Sequence, residues 1–448
     1  MLEIVKQTND TFGYSPARKK RRDPAKLSDD LLDRYDLVVD ELGNCYRYDG
    51  QQWCEASKHQ LQSYALSVDT RDHTNSRRRN ETIAQALSRR QIGTIDWNQL
   101  GAAEVPLDDC VVDVVTKCAR PHRREDWLNR LVPHQLDDNK DPPARWLQCI
   151  EEWFEGDPEI DEKRLALQEF MGYVMLPHAR FKKALLLYGA PDCGKSVVVA
   201  LLRLLVGHSS CCAISVEAMD DPRKLAPIKG RALNILGELP ARALIEDGGF
   251  KSLISTGDPV QIDEKFKCAE LIIPTAKHVF ACNSLPRIDD RTTATYNRIL
   301  VIRFPNTLPE ERWDRNLIDK LTAELPQILR WALMGARRLV ECAGVFQTVN
   351  ESRTLLDELK LENNPVDQFM RECTERSDGE FVTVAELRKS YKGWSGDGRM
   401  SPVGFGRLLS SAGFRSVAVN GVRRIHNRFW RRRSIDEACD NTMQDHLI

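Results

Sequence analysis

Eight consecutive residues carry the strongest chemical signal in the chain: Gly189, Ala190, Pro191, Asp192, Cys193, Gly194, Lys195 and Ser196. They match the spacing G-x-x-x-x-G-K-[ST] without a mismatch. Gly189 and Gly194 let the backbone turn so that its N–H groups converge on phosphate oxygens. Lys195 reaches the outer phosphates and Ser196 can ligate Mg²⁺. A helix opening behind the loop turns its positive end to the same anion. Three polar residues downstream lie at the ends of apolar runs. Glu238 follows the run at 233–236; a carboxylate there can polarise an attacking water or hold the metal through water. Asn283 follows KHVFAC at 277–282 and can orient the same water or touch the terminal phosphate. Arg298 opens the run at 299–302 and could reach a phosphate bound by a neighbouring subunit. The plainer alternatives are a surface glutamate, a capping asparagine and a surface arginine.

The elements that must position these groups are legible around them. ALLLY at 184–188 suits a fully buried strand, and 197–206 continues the loop as an apolar helix. Four such strands alternating with helices predict a parallel, doubly wound α/β sheet. Upstream, Asp141, Pro142 and Pro143 mark a turn. A helix follows over 144–154, with Trp146, Ile150 and Phe154 at helical spacing, then a second over 160–175. Residues 31–150 are expected to form a mainly helical N-terminal domain that also holds short strands. In it, Tyr46, Tyr48 and Trp53 form a hairpin whose rings face a core or, alternatively, stack on bases. Residues 1–30 read as a basic disordered tail around Arg18, Lys19, Lys20, Arg21 and Arg22, and 434–448 as an acidic one.

Two segments suit nucleic acid. Over 258–273, Val260 and Ile262 alternate as a strand does, and 271–273 can return antiparallel. Lys265, Phe266 and Lys267 fall at the tip, where they offer phosphate neutralisation and a stacking face, or form a solvated turn. Near the C-terminus, Ser401 reads as an N-cap and Pro402 as a first-turn residue. Phe405, Leu408 and Leu409 follow at helical spacing, and Gly413 ends the helix. Two short strands then flank Asn420-Gly421, a strong hairpin signal. Helix followed by hairpin predicts a winged helix over 346–433, a module that binds DNA or docks protein. From 401 to 433 there are eight Arg and no acid. Arg407, Arg415, Arg423 and Arg424 are the DNA-contact candidates, with Trp430 and Arg431 to Arg433 as an extension or plain tail.

Composition narrows the classes. The chain has 448 residues, 42% of them apolar, so full disorder is excluded. Lys plus Arg total 65 and Asp plus Glu 66, which excludes a histone-like chain and makes any nucleic-acid surface local. No apolar run is long enough to span a membrane, and no secretory signal opens the chain. Thirteen Cys without a C-x-x-C pair argue against structural zinc and for a reduced cytosolic compartment. Adjacent Cys211 and Cys212 read as small core residues.

The succession over 167–304 resembles the superfamily 3 helicases within the AAA+ ATPases, above all the helicase portion of phage and plasmid primase–helicases and the related poxvirus helicase–primase. The strings that carry the likeness are LQEFMGYVML (167–176), GAPDCGKS, NILGELP (234–240), FKSLISTGDPVQIDEKFK (250–267), AKHVFACNSLPRIDD (276–290) and NRILVIRFP (297–305). It extends more weakly over 40–170 and resumes over 364–430. By this resemblance Lys195 and Ser196 match the Walker A pair, Glu238 the Walker B acid, Asn283 the polar residue of motif C, and Arg298 the arginine finger. Two positions depart from the pattern: Gly237 stands where many AAA+ ATPases have a first acid, and Pro191, Asp192 and Cys193 stand where smaller or amide residues are common. The domain expectation is an ATPase at 151–345 between the N-terminal domain and the winged helix.

The function so implied is an ATP- and Mg²⁺-dependent replicative DNA helicase of a phage, prophage or plasmid, in the cytoplasm of a bacterial host. Subunits would form a ring, a hexamer, since Arg298 acts only across an interface. The partners would be single-stranded and forked DNA, and a hairpin at 258–273 would grip one strand. The 3′ to 5′ polarity rests on the resemblance alone. The likeness begins at residue 40, so a separate primase or polymerase is expected. The rival readings are an ATP-switched origin-binding protein without unwinding, an RNA-directed ATPase, and a P-loop kinase acting on a small molecule.

Overall fold

The structure is a computed structural model that describes residues 23–69, 76–240, 243–255, 257–265, 268–289, 294–396 and 398–430. The chain divides into two compact units, one ending at Asp96 and the other starting at Trp97. In the first unit, helices α1 (Pro24–Arg34), α2 (Lys58–Val68) and α3 (Ser76–Ser88) accompany a four-stranded sheet. Its strands are β1 (Leu37–Asp40), β2 (Cys45–Tyr48), β3 (Trp53–Glu55) and β4 (Gln91–Gly93), in the order β3-β2-β1-β4. The hairpin expected from Tyr46 to Trp53 is β2–β3, and both of those rings are buried in its core.

Two expectations are corrected here. Residues 24–30 belong to α1 rather than to a tail: the Asp23 carboxylate accepts from the Ala25 N–H at 3.1 Å, and Leu27 and Leu31 are buried. The N-terminal region is mixed rather than mainly helical, because a sheet runs through it. The first compact unit ends before residue 150, at Asp96. Strands β5 (Glu104–Pro106), β6 (Val111–Asp113) and β7 (Ala119–Arg120) form a small sheet of the second unit. Val105, Leu107, Val112 and Val132 share a core with the residues that follow.

The second unit continues with α4 (Ala144–Trp153), α5 (Ile160–Met175), β8 (Ala184–Gly189), α6 (Lys195–Val206), β9 (Cys211–Cys212), the one-turn α7 (Pro222–Leu225), β10 (Leu233–Leu236) and β11 (Leu244–Glu246). Next come α8 (Asp247–Ile254), β12 (Val260–Ile262), β13 (Glu270–Ile272), β14 (Lys277–Cys282), β15 (Arg287–Asp289) and β16 (Ile299–Phe304). The central sheet is five-stranded and parallel, in the order β16-β8-β14-β10-β9. The four expected strands are present, with the short edge strand β9 as a fifth. Cys211 and Cys212 form that edge and are half-buried, not core. Buried strands on a sheet covered on both faces read as continuous apolar runs, which explains why their limits were visible in the sequence.

Helices α9 (Leu317–Ala323), α10 (Leu325–Glu341) and α11 (Asn350–Asn363) follow, and α10 packs on α5. The approach is close. A Cβ at Gly335 would lie 2.0 Å from the Gln168 carbonyl oxygen.

The chain ends in α12 (Pro365–Cys373), β17 (Thr374–Thr383), α13 (Val384–Ser395), α14 (Pro402–Ser411), β18 (Val417–Val419) and β19 (Val422–Trp430). The three strands pair antiparallel as β17-β19-β18. Ser401 caps α14 by accepting the Gly404 N–H at 3.0 Å, and Phe405 and Leu409 are buried. Asn420 (φ 51°) and Gly421 (φ 79°) are both left-handed, as a two-residue hairpin turn requires. Among the described residues, no helix is long and apolar enough to cross a membrane.

Candidate nucleotide site

Because the central sheet is parallel, the C-terminal ends of β8, β10 and β14 lie side by side, the usual position for a ligand in such folds. A cavity of about 510 Å³ opens there. Its wall carries Pro191 to Val197 from the loop and α6, Gly237 and Glu238 beyond β10, and Asn283 beyond β14. The groups that lie far apart in the chain thus meet in one place.

The loop is held by packing as well as by its own turn. Gly194 has φ +102°, and a Cβ on it would lie 2.4 Å from the Trp153 ring. Trp153 is 1% exposed and stands edge-on to Trp146, the ring centroids 5.7 Å apart. Gly189 is equally constrained: a Cβ would meet the Phe304 carbonyl oxygen at 2.7 Å. Both glycines are therefore required by close approach, and Gly194 by backbone conformation too. Asp192 is left-handed as well, at φ 58°.

Lys195 opens α6. Its amine donates to the carbonyls of Gly189 at 2.8 Å and Ala190 at 2.5 Å, and lies 3.3 Å from Cys193 Sγ. Among the described residues no carboxylate pairs with it. Ser196, Glu238 and Asn283 are exposed toward the cavity, and among the described residues none of the three side chains has a hydrogen-bond partner. Next to Asn283, burial pushes the Cys282 thiol up to about 12, while the Lys195 charge pulls it the other way. That thiol stays protonated and inert at neutral pH. An added Cβ at Gly237 meets nothing within 4 Å. The missing first acid is thus a difference in chemistry and not in available space.

Several lining residues escaped the sequence reading. Arg145, Glu152 and Trp153 come from α4, and Leu308, Arg312, Trp313, Asp314, Arg315 and Leu317 from the segment after β16. The two segments are bound together. The Glu324 carboxylate accepts the N–H groups of Arg145 and Trp146 at 2.8 and 3.1 Å, capping α4. Arg145 Nε also stands 3.7 Å from Asp314. Arg312 pairs with Glu155 at 3.4 Å, whereas Arg315 is exposed with no ion pair among the described residues. No local motif marks these positions; only the clustering of Trp with Arg and Asp at 312–315 hinted at more than a surface turn.

The remaining candidates lie outside the cavity. Arg298 precedes β16, whose register pairs Ile299 with Ala184 and Phe304 with Gly189. It therefore sits at the opposite end of the sheet, about 20 Å from the loop at ~3.3 Å per residue. Its guanidinium donates to the Ala294 carbonyl at 2.8 Å. Strands β12 and β13 form the expected antiparallel pair, and Lys265 is exposed beyond β12. Phe266 and Lys267 lie outside the described residues, as do Arg431 to Arg433 and both expected tails apart from 23–30. In the C-terminal module Arg407 on α14, Arg415 before β18 and Arg423 on β19 are exposed. Arg424 is half-buried, its guanidinium 4.1 Å from the centre of the Phe381 ring. The described residues hold no cluster of three or more His, Cys, Asp or Glu fit for a metal. A Mg²⁺ ion would have to take part of its coordination from phosphate and water, as that ion usually does.

Comparison with known proteins gives two partial family matches. Residues 29–155 match the family model described as D5 N terminal like, and residues 187–298 match a family of unknown function, DUF5906. Two apo structures of the NrS-1 C terminal region align over 91% of this chain and 100% of theirs. Their TM-scores are 0.54 and 0.55, at 14% and 13% identity. At this identity the likeness defines the shared fold: mixed α/β, with a parallel sheet.

Proposed function

We propose that this protein is an ATP-driven DNA helicase of a phage or plasmid replication system. The observation that carries the reading is the convergence of the phosphate loop, Glu238 and Asn283 on one cavity. The D5 N terminal like match and the fold shared with the NrS-1 C terminal region support the replication context. In this reading the loop N–H groups and Lys195 hold the triphosphate. The Lys195 amine leaves the Gly189 and Ala190 carbonyls for phosphate oxygen. Ser196 and Glu238 would hold Mg²⁺, which supplies charge neutralisation to the phosphates. Glu238 accepts the proton of the attacking water, Asn283 orients that water, and the bond from the outer phosphorus to the bridging oxygen breaks.

Arg298 cannot serve its own cavity from the far end of the sheet. It serves the site of a neighbouring subunit, so the working form is a ring, with a hexamer as the expected count. The hairpin around Lys265 grips single-stranded DNA. The order helix–strand–helix–helix–strand–strand from α12 to β19 supports the reading of a winged helix. Separation of each base-pair step costs about 1.4 kcal/mol of stacking, which hydrolysis offsets. The test is ATP hydrolysis by the full chain with and without single-stranded DNA. DNA should accelerate turnover, RNA should not, and Lys195→Ala should reduce it by at least about a hundredfold. Full turnover by that variant refutes the site.

A further inference from the structure

We infer that Trp313 is the base-stacking wall of the cavity, so that the site selects purine nucleoside triphosphates. This rests on the nucleotide reading above and adds the recognition of the base. Trp313 leaves 47% of its surface exposed while lining the cavity, unusual for the largest side chain, which proteins mostly cover. The ring is fixed in place. Its indole N–H donates to the Leu308 carbonyl at 2.9 Å, and the Leu308 N–H donates to the Asp192 carbonyl at 3.2 Å. Two hydrogen bonds thus tie the indole to the phosphate loop itself. A nucleotide whose phosphates enter the loop meets a pre-positioned aromatic face on the same cavity wall. The neighbouring Leu308 and Leu317 are apolar, which suits the other edges of a base.

Stacking accepts any π-face but rewards the larger one. The lining residues of the segment 308–317 offer Arg312, Asp314 and Arg315 and no side-chain amide. Asp314 is already paired with Lys320 at 2.7 Å and Arg312 with Glu155 at 3.4 Å, which leaves ring size as the main discriminator, with little between adenine and guanine.

The test is calorimetric titration of the full chain with ATP, GTP, UTP and inorganic tripolyphosphate. Wild type should bind ATP and GTP alike and UTP at least about fivefold more weakly. Trp313→Ala should weaken ATP by about tenfold or more and leave tripolyphosphate unchanged, and Trp313→Phe should recover most of the loss. Equal affinity of wild type for ATP and UTP overturns the proposal, whatever the variants do. So does an alanine variant that keeps ATP affinity, or one that loses ATP and tripolyphosphate together. Lys195→Ala separates the two levels. If it loses ATP while Trp313→Ala does not, the nucleotide site stands and the stacking wall falls. If neither loses ATP, both readings fall.

Discussion

Lys195 is buried in the loop that carries it, its amine on the carbonyls of Gly189 and Ala190, whereas Arg423 at the tip of the β18–β19 hairpin is exposed to solvent. Around Lys195 both loop glycines are set by packing, Gly194 against Trp153 and Gly189 against Phe304. Around Arg423 the basic side chains divide. Arg424 covers the Phe381 ring, Arg428 lies 4.9 Å from the centre of the Phe414 ring, and Arg407 and Arg415 are exposed. The loop is over-determined, so a single added methyl group should damage it. The C-terminal sheet is partly free, and its arginines separate into those that hold the module together and those that can reach phosphate. Counting eight arginines in the sequence could not make that division.

The largest expected effect is at Gly194. Gly194→Ala adds a left-handed strain and a collision with Trp153, together costing about 3 kcal/mol and abolishing nucleotide binding. Thermal denaturation with and without ATP measures both; an unchanged melting temperature would mean that the packing is looser than described. Next comes Arg298. If it completes a neighbour's site, mixing Arg298→Ala subunits with wild type should depress turnover more steeply than the fraction added. A linear dose response assigns it a structural part.

Acid should weaken the sheet near the opposite end from the loop. His278 is fully buried, and burial lowers it to about 4. Its Nδ1 accepts from Asn234 Nδ2 at 3.2 Å, so the folded ring is neutral. The unfolded ring takes a proton near pH 6.5 and the folded one does not. Stability is therefore complete above about pH 6.5 and is lost as the pH falls toward 4, by about 2 kcal/mol at pH 5. His178, lowered to about 4 chiefly by burial and then by the Lys277 charge, acts in the same direction. His278→Gln should flatten part of this slope in denaturant melts between pH 7 and 5; an unaltered slope would place the proton uptake elsewhere.

The smallest effects sharpen the division within the C-terminal sheet. Arg424→Ala should cost about 1 kcal/mol through loss of the Phe381 contact. Arg423→Ala should leave stability alone and reduce the salt dependence of DNA binding by about 0.7 to 0.9 in log–log slope. The reverse pattern would show that the exposed arginine is not the one that meets phosphate.

Much of this architecture was legible because buried parallel strands announce themselves. The limits at 233–236 and 277–282 coincide with β10 and β14, and β8 and β16 start where expected. The loop was legible because its glycines are demanded by geometry. What stayed hidden depends on contacts between distant segments. Trp153 and Trp313 reach one cavity from either side of the central sheet in sequence, and no spacing rule connects them. Strand β17 was also missed. Its exposed positions are polar apart from Gly379 and Phe381, and its register with β19 shifts between Arg376 and Phe381, which erases simple alternation. The polar face of α1 disguised it as part of a basic tail, since only Leu27 and Leu31 mark its buried side.

In the proposed function, phosphate cleavage at the Lys195 cavity drives strand separation. A forked DNA substrate with a labelled strand, incubated with the full chain and ATP–Mg²⁺, tests it directly. Release of the labelled strand by wild type, but neither by Lys195→Ala nor with a non-hydrolysable ATP analogue, is the predicted result. Active ATP hydrolysis with no strand released, or release undiminished in Lys195→Ala, would contradict it.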